Sequence, residues 1–128
     1  MKKPEQNLQK QLCQWIRIQY PDIYFMSDAS GLPIGSWGLR NLLKTTRSKH
    51  AALDLVILEP RGEYHGLVIE LKAKSPYQKD SVSLKNDEHL LEQAKSMRGL
   101  HGKNYQVGFI WDFEQGIKYI NEYLKQTK

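Results

Sequence analysis

Apolar residues recur along this chain with two different periods, and one of these periods is that of an α-helix. The first helical pattern covers residues 5–19. The second follows a capping residue, Asn86 or Asp87, and the third follows a capping box made by Asp112 and Gln115. The predicted inward positions are Leu8, Leu12, Trp15 and Ile16 in the first helix, Leu90, Gln93, Ala94 and Met97 in the second, and Phe113, Ile117, Ile120 and Leu124 in the third.

The second pattern is that of β-strands, and it predicts four short strands, at residues 23–26, 53–58, 64–72 and 105–111. A turn at residues 60–63 joins the second and third strands, so we expect these two to form a β-hairpin. The order of elements is α-β-β-β-α-β-α. This order predicts an α/β fold in which helices flank a mixed central sheet.

Composition narrows the class of protein. The 128 residues are 40% hydrophobic and 26% charged, which is typical of a globular domain, and we expect a single domain over residues 1–128. No apolar run approaches the roughly 18 residues of a membrane span, and no secretory signal is evident at the N-terminus. Cys13 is the only cysteine, which excludes an internal disulfide. The net charge of +5 is compatible with nucleic acid without requiring it.

The candidate chemistry lies on the predicted hairpin. Antiparallel pairing about its turn places Asp54 opposite Ile69 or a neighbour, so the carboxyl groups of Asp54 and Glu70 can converge within about 5 to 8 Å. The two-residue period of a strand puts Glu70 and Lys72 on one face and Ile69 and Leu71 on the other. We therefore expect a polar group of two carboxylates and one ammonium.

Two carboxylates on one face repel each other unless a cation lies between them. Mg²⁺ and Mn²⁺ are such cations, because they prefer oxygen ligands in octahedral geometry. A neighbouring lysine can hold the attacking water and balance charge at a phosphodiester. This combination of residues is typical of metal-dependent phosphodiester hydrolysis.

The spacing of Asp54 and the tripeptide 70–72 resembles the motif of the PD-(D/E)xK nucleases. Glu5 on the first helix, Gln93 on a later helix and a basic, turn-rich stretch before Asp54 make the chain similar to the virus-type replication-repair nuclease (VRR-NUC) domain, over residues 4–111. The similarity is to the stand-alone members found in phages and prophages. One position departs from the family pattern, since Ala-Ala-Leu precedes Asp54 where the family often has Gly-x-Pro.

The resemblance implies a restriction-endonuclease-like core, a bound Mg²⁺ or Mn²⁺ and a set of site residues. The implied catalytic residues are Asp54, Glu70, Lys72 and Gln93, and the implied metal ligands are Glu5, Asp54, Glu70 and the carbonyl of Leu71. Basic residues near the hairpin predict contacts with DNA phosphates. They are Lys44, Arg47, Lys49 and Lys74.

Each of these residues also has an ordinary structural explanation. A Glu-x-Lys tripeptide occurs on many solvent-facing strands, and an aspartate at a strand start can simply bind backbone amides. Glu5 is also a favourable carboxylate in the first turn of a helix.

The four histidines show no ligand spacing, so we expect no zinc site.

The function that the resemblance implies is a metal-dependent DNA endonuclease, acting as a homodimer on branched DNA such as four-way junctions. We expect it in the cytoplasm of a bacterium or of a phage-infected cell. Three alternatives stay open at this stage. The chain could be a non-catalytic nucleic-acid binding module, a regulatory domain on a degenerate nuclease scaffold, or a restriction-type nuclease that cuts ordinary duplex DNA.

Overall fold

The computed structural model describes residues 3–27, 38, 42, 54–81 and 83–127. Within them the order of elements is the predicted α-β-β-β-α-β-α. No helix in these ranges is long and apolar enough to cross a membrane. The elements are α1 (Lys3–Gln19), β1 (Phe25–Ser27), β2 (Leu55–Ile57), β3 (Leu67–Leu71), α2 (Glu88–His101), β4 (Gln106–Ile110) and α3 (Phe113–Leu124).

The four strands form one mixed sheet in the order β1-β2-β3-β4. β1 pairs antiparallel with β2 and β2 antiparallel with β3, whereas β4 runs parallel to β3. The hairpin register pairs Leu55 with Ile69, so the ladder continues with Asp54 opposite Glu70, the neighbour of Ile69 and within the range that the sequence analysis allowed. The paired strands are shorter than predicted, since the ladder joins only residues 55–57 to residues 67–69, and Gly62 turns the chain between them with a φ of +57°. The hairpin therefore carries a longer loop, closed by an isolated bridge between Arg61 and Tyr64.

Helices cover both faces of the sheet. On one face α1 and α3 pack against the side of β3 that carries Ile69 and Leu71. On the other face α2 packs against Phe109 of β4. All five residues of β3 are consequently buried, although only the apolar face was expected to be. Glu70 lies on the α2 face and is only 2% exposed.

The caps of α2 and α3 follow the sequence signals. Asp87 accepts a hydrogen bond from the Leu90 N–H at 3.0 Å, and Asp112 accepts one from the Gln115 N–H at 3.2 Å. The return bond of the predicted capping box differs, because the Gln115 side chain accepts from the N–H of Trp111, one residue before the cap, at 3.1 Å. These bonds fix the start of α2, the helix that covers Glu70, and the start of α3.

Candidate active site

Asp54 lies immediately before β2 and reaches the end of β3. Since Leu55 pairs with Ile69, the next position of the ladder places Asp54 beside Glu70. The Asp54 carboxylate oxygen Oδ2 accepts a hydrogen bond from the Leu71 N–H at 2.8 Å. The carboxyl groups of Asp54 and Glu70 are therefore on the same side of the sheet, at the edge where β2 begins and β3 ends.

Glu70 is a buried acid with an incomplete set of partners. Its Oε2 accepts a hydrogen bond from Gln93 Nε2 at 3.1 Å, but its Oε1 is buried without a hydrogen-bond donor among the described residues. Burial, a hydrogen bond with Asp54 and the charge of Asp54, in that order of size, together raise the pKa of Glu70 to about 10. The nearby ammonium of Lys72 only partly opposes this increase of the pKa.

The hydrogen bond between the two carboxyls can form only when one of them is protonated. With both ionised, Glu70 Oε1 is left buried and unpaired, which is an unfavourable arrangement. A carboxyl pair of this kind has two ways of relieving its repulsion. It can hold a proton, or it can bind a cation.

Gln93 links the ammonium group to the carboxyl pair. It lies on the inward face of α2 and is 8% exposed. Its Oε1 accepts a short hydrogen bond from Lys72 Nζ, while its Nε2 donates to Glu70. The backbone of Lys72 is fixed as well, since its N–H donates to the carbonyl of Ile110 at 2.8 Å and extends the ladder with β4. The Lys72 ammonium is thus held beside the pair of carboxyl groups formed by Asp54 and Glu70.

Glu5 lies further from this centre. It is half-buried in the first turn of α1, and its negative charge makes a small contribution to the raised pKa of Glu70. No group of three or more His, Cys, Asp or Glu side chains is placed to hold a metal ion in the described part of the chain. Of the residues proposed from the sequence, the structure brings together Asp54, Glu70, Lys72 and Gln93, with Glu5 outside this set.

The predicted DNA-binding residues divide into two groups. Lys44, Arg47 and Lys49 lie outside the described residues. Lys74 is exposed, two residues beyond Lys72 in the loop that follows β3. An exposed lysine in the loop that follows Glu70 and Lys72 is compatible with a phosphate contact.

Two polar residues near Asp54 were not singled out from the sequence. Gln9 is 8% exposed on α1, and Ser27 ends β1. Ser27 Oγ donates to the backbone carbonyl of Asp54 at 2.9 Å, and Gln9 Nε2 donates to Ser27 Oγ at 2.5 Å. The available signal was a glutamine directly after Leu8 on the apolar stripe, where a helical wheel still faces inward.

The donor set of this site fits a divalent cation. Asp54 and Glu70 offer carboxylate oxygens, and the unpaired Glu70 Oε1 is the kind of buried atom that a cation would satisfy. Mg²⁺ and Mn²⁺ commonly bind through one or two carboxylates and retain several waters. Asp54 and Glu70 supply such a pair of carboxylates.

The likeness of this chain to known proteins is one of structure. No family model matches the chain, and no curated protein matches it in sequence. Among solved structures, one described as a "VRR_NUC domain protein" is similar to it, with a TM-score of 0.70 and 21% sequence identity over 100% of this chain and 93% of that one. At this identity the likeness establishes the fold. The α/β fold predicted from the sequence is confirmed, and it is the fold of a VRR-NUC domain.

Proposed function

We propose that this chain is a Mg²⁺- or Mn²⁺-dependent DNA endonuclease of the VRR-NUC type. The observation that carries the proposal is the pairing of Asp54 with Glu70 on one side of the sheet, with Glu70 Oε1 buried and unpaired. A purely structural site would not favour a half-buried acid facing a buried one, because their repulsion destabilises the fold. Such an arrangement is common in sites that bind a cation.

The chemistry that a bound divalent cation supplies is polarisation of the scissile phosphate and a lowered pKa for the attacking water. Asp54, Glu70 and the backbone carbonyl of Leu71 would hold the ion, and Glu5 would complete the site directly or through a water. Lys72 would orient the water and balance the charge that develops on the phosphate. Gln93 would keep the Lys72 ammonium beside Glu70, because it accepts from Lys72 and donates to Glu70. In-line attack would release the 3′-oxygen and leave a 5′-phosphate.

The proposed substrate is DNA, with branched forms such as four-way junctions preferred, and the proposed active form is a homodimer. Support comes from the positive net charge, from the exposed Lys74 and from the fold shared with a VRR-NUC domain. A two-fold dimer would place two active sites on a substrate with matching symmetry. Lys44, Arg47 and Lys49 are proposed to contact phosphates as well.

One observation favours a second candidate, a regulatory or DNA-binding domain on a degenerate nuclease scaffold. Only two acidic side chains gather at the site in the described residues, and the proline that the family often has before the aspartate is missing. We favour the nuclease, because Lys72 and Gln93 are held beside the acids in a manner that DNA binding alone would not require.

Cleavage assays with a panel of DNA substrates test the nuclease directly. Linear duplex, flap and four-way DNA are incubated with Mg²⁺, with Mn²⁺ or with a chelator. We expect cleavage that needs the metal and is fastest on the branched substrates. Cleavage that persists in chelator would refute the metal mechanism, and equal rates on linear and branched DNA would point to a restriction-type enzyme.

Two variants separate the candidates. Lys72→Met should abolish cleavage and leave DNA binding largely intact, whereas Lys95→Met, which removes an exposed lysine from α2, should change neither. In calorimetry, Asp54→Asn should abolish Mn²⁺ uptake. A wild-type protein that binds DNA but neither takes up Mn²⁺ nor cleaves any substrate would establish the degenerate scaffold. Sedimentation of the wild type as a monomer at micromolar concentration would contradict the homodimer.

A further inference from the structure

Gln9 is a buried amide on an otherwise apolar face. Its neighbours on the inward side of α1, Leu8 and Leu12, belong to the main hydrophobic core, yet Gln9 itself is 92% buried, since only 8% of it is exposed. Its Nε2 donates to Ser27 Oγ at 2.5 Å and lies 3.4 Å from the backbone carbonyl oxygen of Asp54. The amide is therefore directed toward the residue that begins the candidate site.

Ser27 completes the connection between Gln9 and Asp54. It pairs with Leu55 across the β1–β2 ladder, which brings its side chain next to the start of β2. Its hydroxyl receives the Gln9 amide and donates to the Asp54 carbonyl at 2.9 Å. Helix α1, strand β1 and the residue before β2 are thus joined at one carbonyl oxygen.

Asp54 needs such a connection because it lies just outside the paired residues of β2. Its carboxylate is held at one end by the Leu71 N–H, and its backbone carbonyl is held at the other end by Ser27 and Gln9. Fixing both ends of one residue restricts the direction in which its side chain points. A site that binds a small octahedral ion depends on that direction.

A role in packing alone does not explain why residue 9 is a glutamine. A leucine or methionine at this position would continue the apolar stripe of α1 and would avoid the unfavourable desolvation of an amide. The hydrogen bonds that Gln9 makes contribute modestly to stability, because they replace hydrogen bonds to water. The advantage of an amide over an apolar side chain at this position therefore lies in the hydrogen bonds that it makes.

We propose that Gln9 and Ser27 are positioning residues that set the orientation of the Asp54 carboxylate for metal binding. This proposal rests on the metal-dependent function proposed above. The two residues act through the backbone carbonyl of Asp54 and touch neither the metal nor the DNA. Polar groups that support metal ligands in this manner typically change metal affinity by about 10- to 100-fold when they are removed.

The test uses Gln9→Met and Ser27→Ala, with Gln14→Met as the matched control for an exposed glutamine of the same helix. In calorimetry with Mn²⁺ alone, we expect both test variants to bind at least about 10-fold more weakly. Their melting temperatures should remain close to that of the wild type. The control variant should match the wild type in both measurements. Unchanged Mn²⁺ affinity in folded test variants would overturn the proposal.

A second measurement reports on Asp54 without metal. Amide hydrogen exchange of Leu71, whose N–H donates to Asp54, should become several-fold faster in Ser27→Ala than in the wild type. The Lys72 N–H, which donates to Ile110, serves as the internal reference for an intact sheet and should not change. Ser27→Thr keeps a hydroxyl and should restore slow exchange.

The exchange measurement also separates the two proposals. If the wild type binds no Mn²⁺, the metal-dependent function fails, and the Leu71 amide still decides whether Ser27 positions Asp54. If the wild type binds Mn²⁺ and neither its affinity nor the Leu71 exchange responds to the test variants, only the positioning role fails. Should Gln9→Met not fold, Ser27→Ala on the edge strand decides alone.

Discussion

The protonation of Glu70 gives the sharpest prediction for the metal-free protein. The variant Glu70→Gln replaces the acid by a side chain of the same shape that resembles its protonated form. The new amide can still accept the hydrogen bond from Gln93 and can donate one to Asp54, as a protonated Glu70 does. The substitution therefore removes the ionisation of residue 70 and leaves the packing against α2 in place.

The sign of the effect follows from the pKa of Glu70, which burial and Asp54 raise from 4.5 to about 10. Between these values the folded protein holds a proton that the unfolded chain releases. The stabilisation from this proton is fully present below pH 4.5 and is lost as the pH rises toward 10. The free energy of unfolding should fall by about 1.4 kcal/mol per pH unit from this group.

Between pH 6 and pH 8 this slope amounts to roughly 3 kcal/mol, or on the order of 10 °C in melting temperature. We expect the free energy of unfolding of Glu70→Gln to lack this decrease, so that the variant becomes more stable than the wild type as the pH rises. The assay is urea unfolding in chelator at several pH values. The control is Glu92→Gln, which removes an exposed carboxylate from α2 and should keep the wild-type slope.

Parallel pH dependences for the wild type and Glu70→Gln would refute this reasoning. That result would mean that Glu70 is ionised in the folded protein throughout the range, so that solvent or another cation satisfies it. A loss of the slope in Glu92→Gln as well would indicate a general effect of net charge. Only a difference confined to residue 70 supports the interpretation.

Three further predictions concern metal binding and the fold. Saturating Mn²⁺ at 100 times its dissociation constant should stabilise the wild type by about 2.7 kcal/mol at neutral pH and should leave Asp54→Asn unchanged, as measured by urea unfolding. Gln115→Ala removes the acceptor of the Trp111 N–H and should lower the free energy of unfolding by about 1 to 2 kcal/mol. Tyr123→Phe removes the hydroxyl that donates to the Glu59 carbonyl at 2.6 Å, with an expected loss of about 1 kcal/mol in the same assay.

The order of elements and the convergence of Asp54, Glu70 and Lys72 could be predicted from the sequence, because both depend on local periodicity. A hairpin with a two-residue repeat leaves few registers, and the one that buries Ile69 also places Glu70 beside Asp54. Gln93 could be assigned to the inward face of its helix for the same reason, since it shares the spacing of the apolar residues around it.

The burial of Glu70 could not be predicted in this way, because it depends on a helix eighteen or more residues away in sequence. The alternation in β3 indicated one apolar and one polar face, whereas α2 covers the polar face as well. The connection from Gln9 through Ser27 to Asp54 joins three elements that are distant along the chain. No periodicity within a single element carries that information.

The position of the carboxyl pair links stability to function. The described residues around Glu70 bury an acid that, when ionised, has one oxygen without a donor, and that arrangement opposes folding at neutral pH. A cation that binds the folded protein and not the unfolded chain would offset this conflict by mass action. The same two acids would then make the fold less stable without metal and select for the ion when it is present. A change that stabilises the metal-free protein at residue 70 should therefore remove metal binding, and stability and activity should move in opposite directions at this one position.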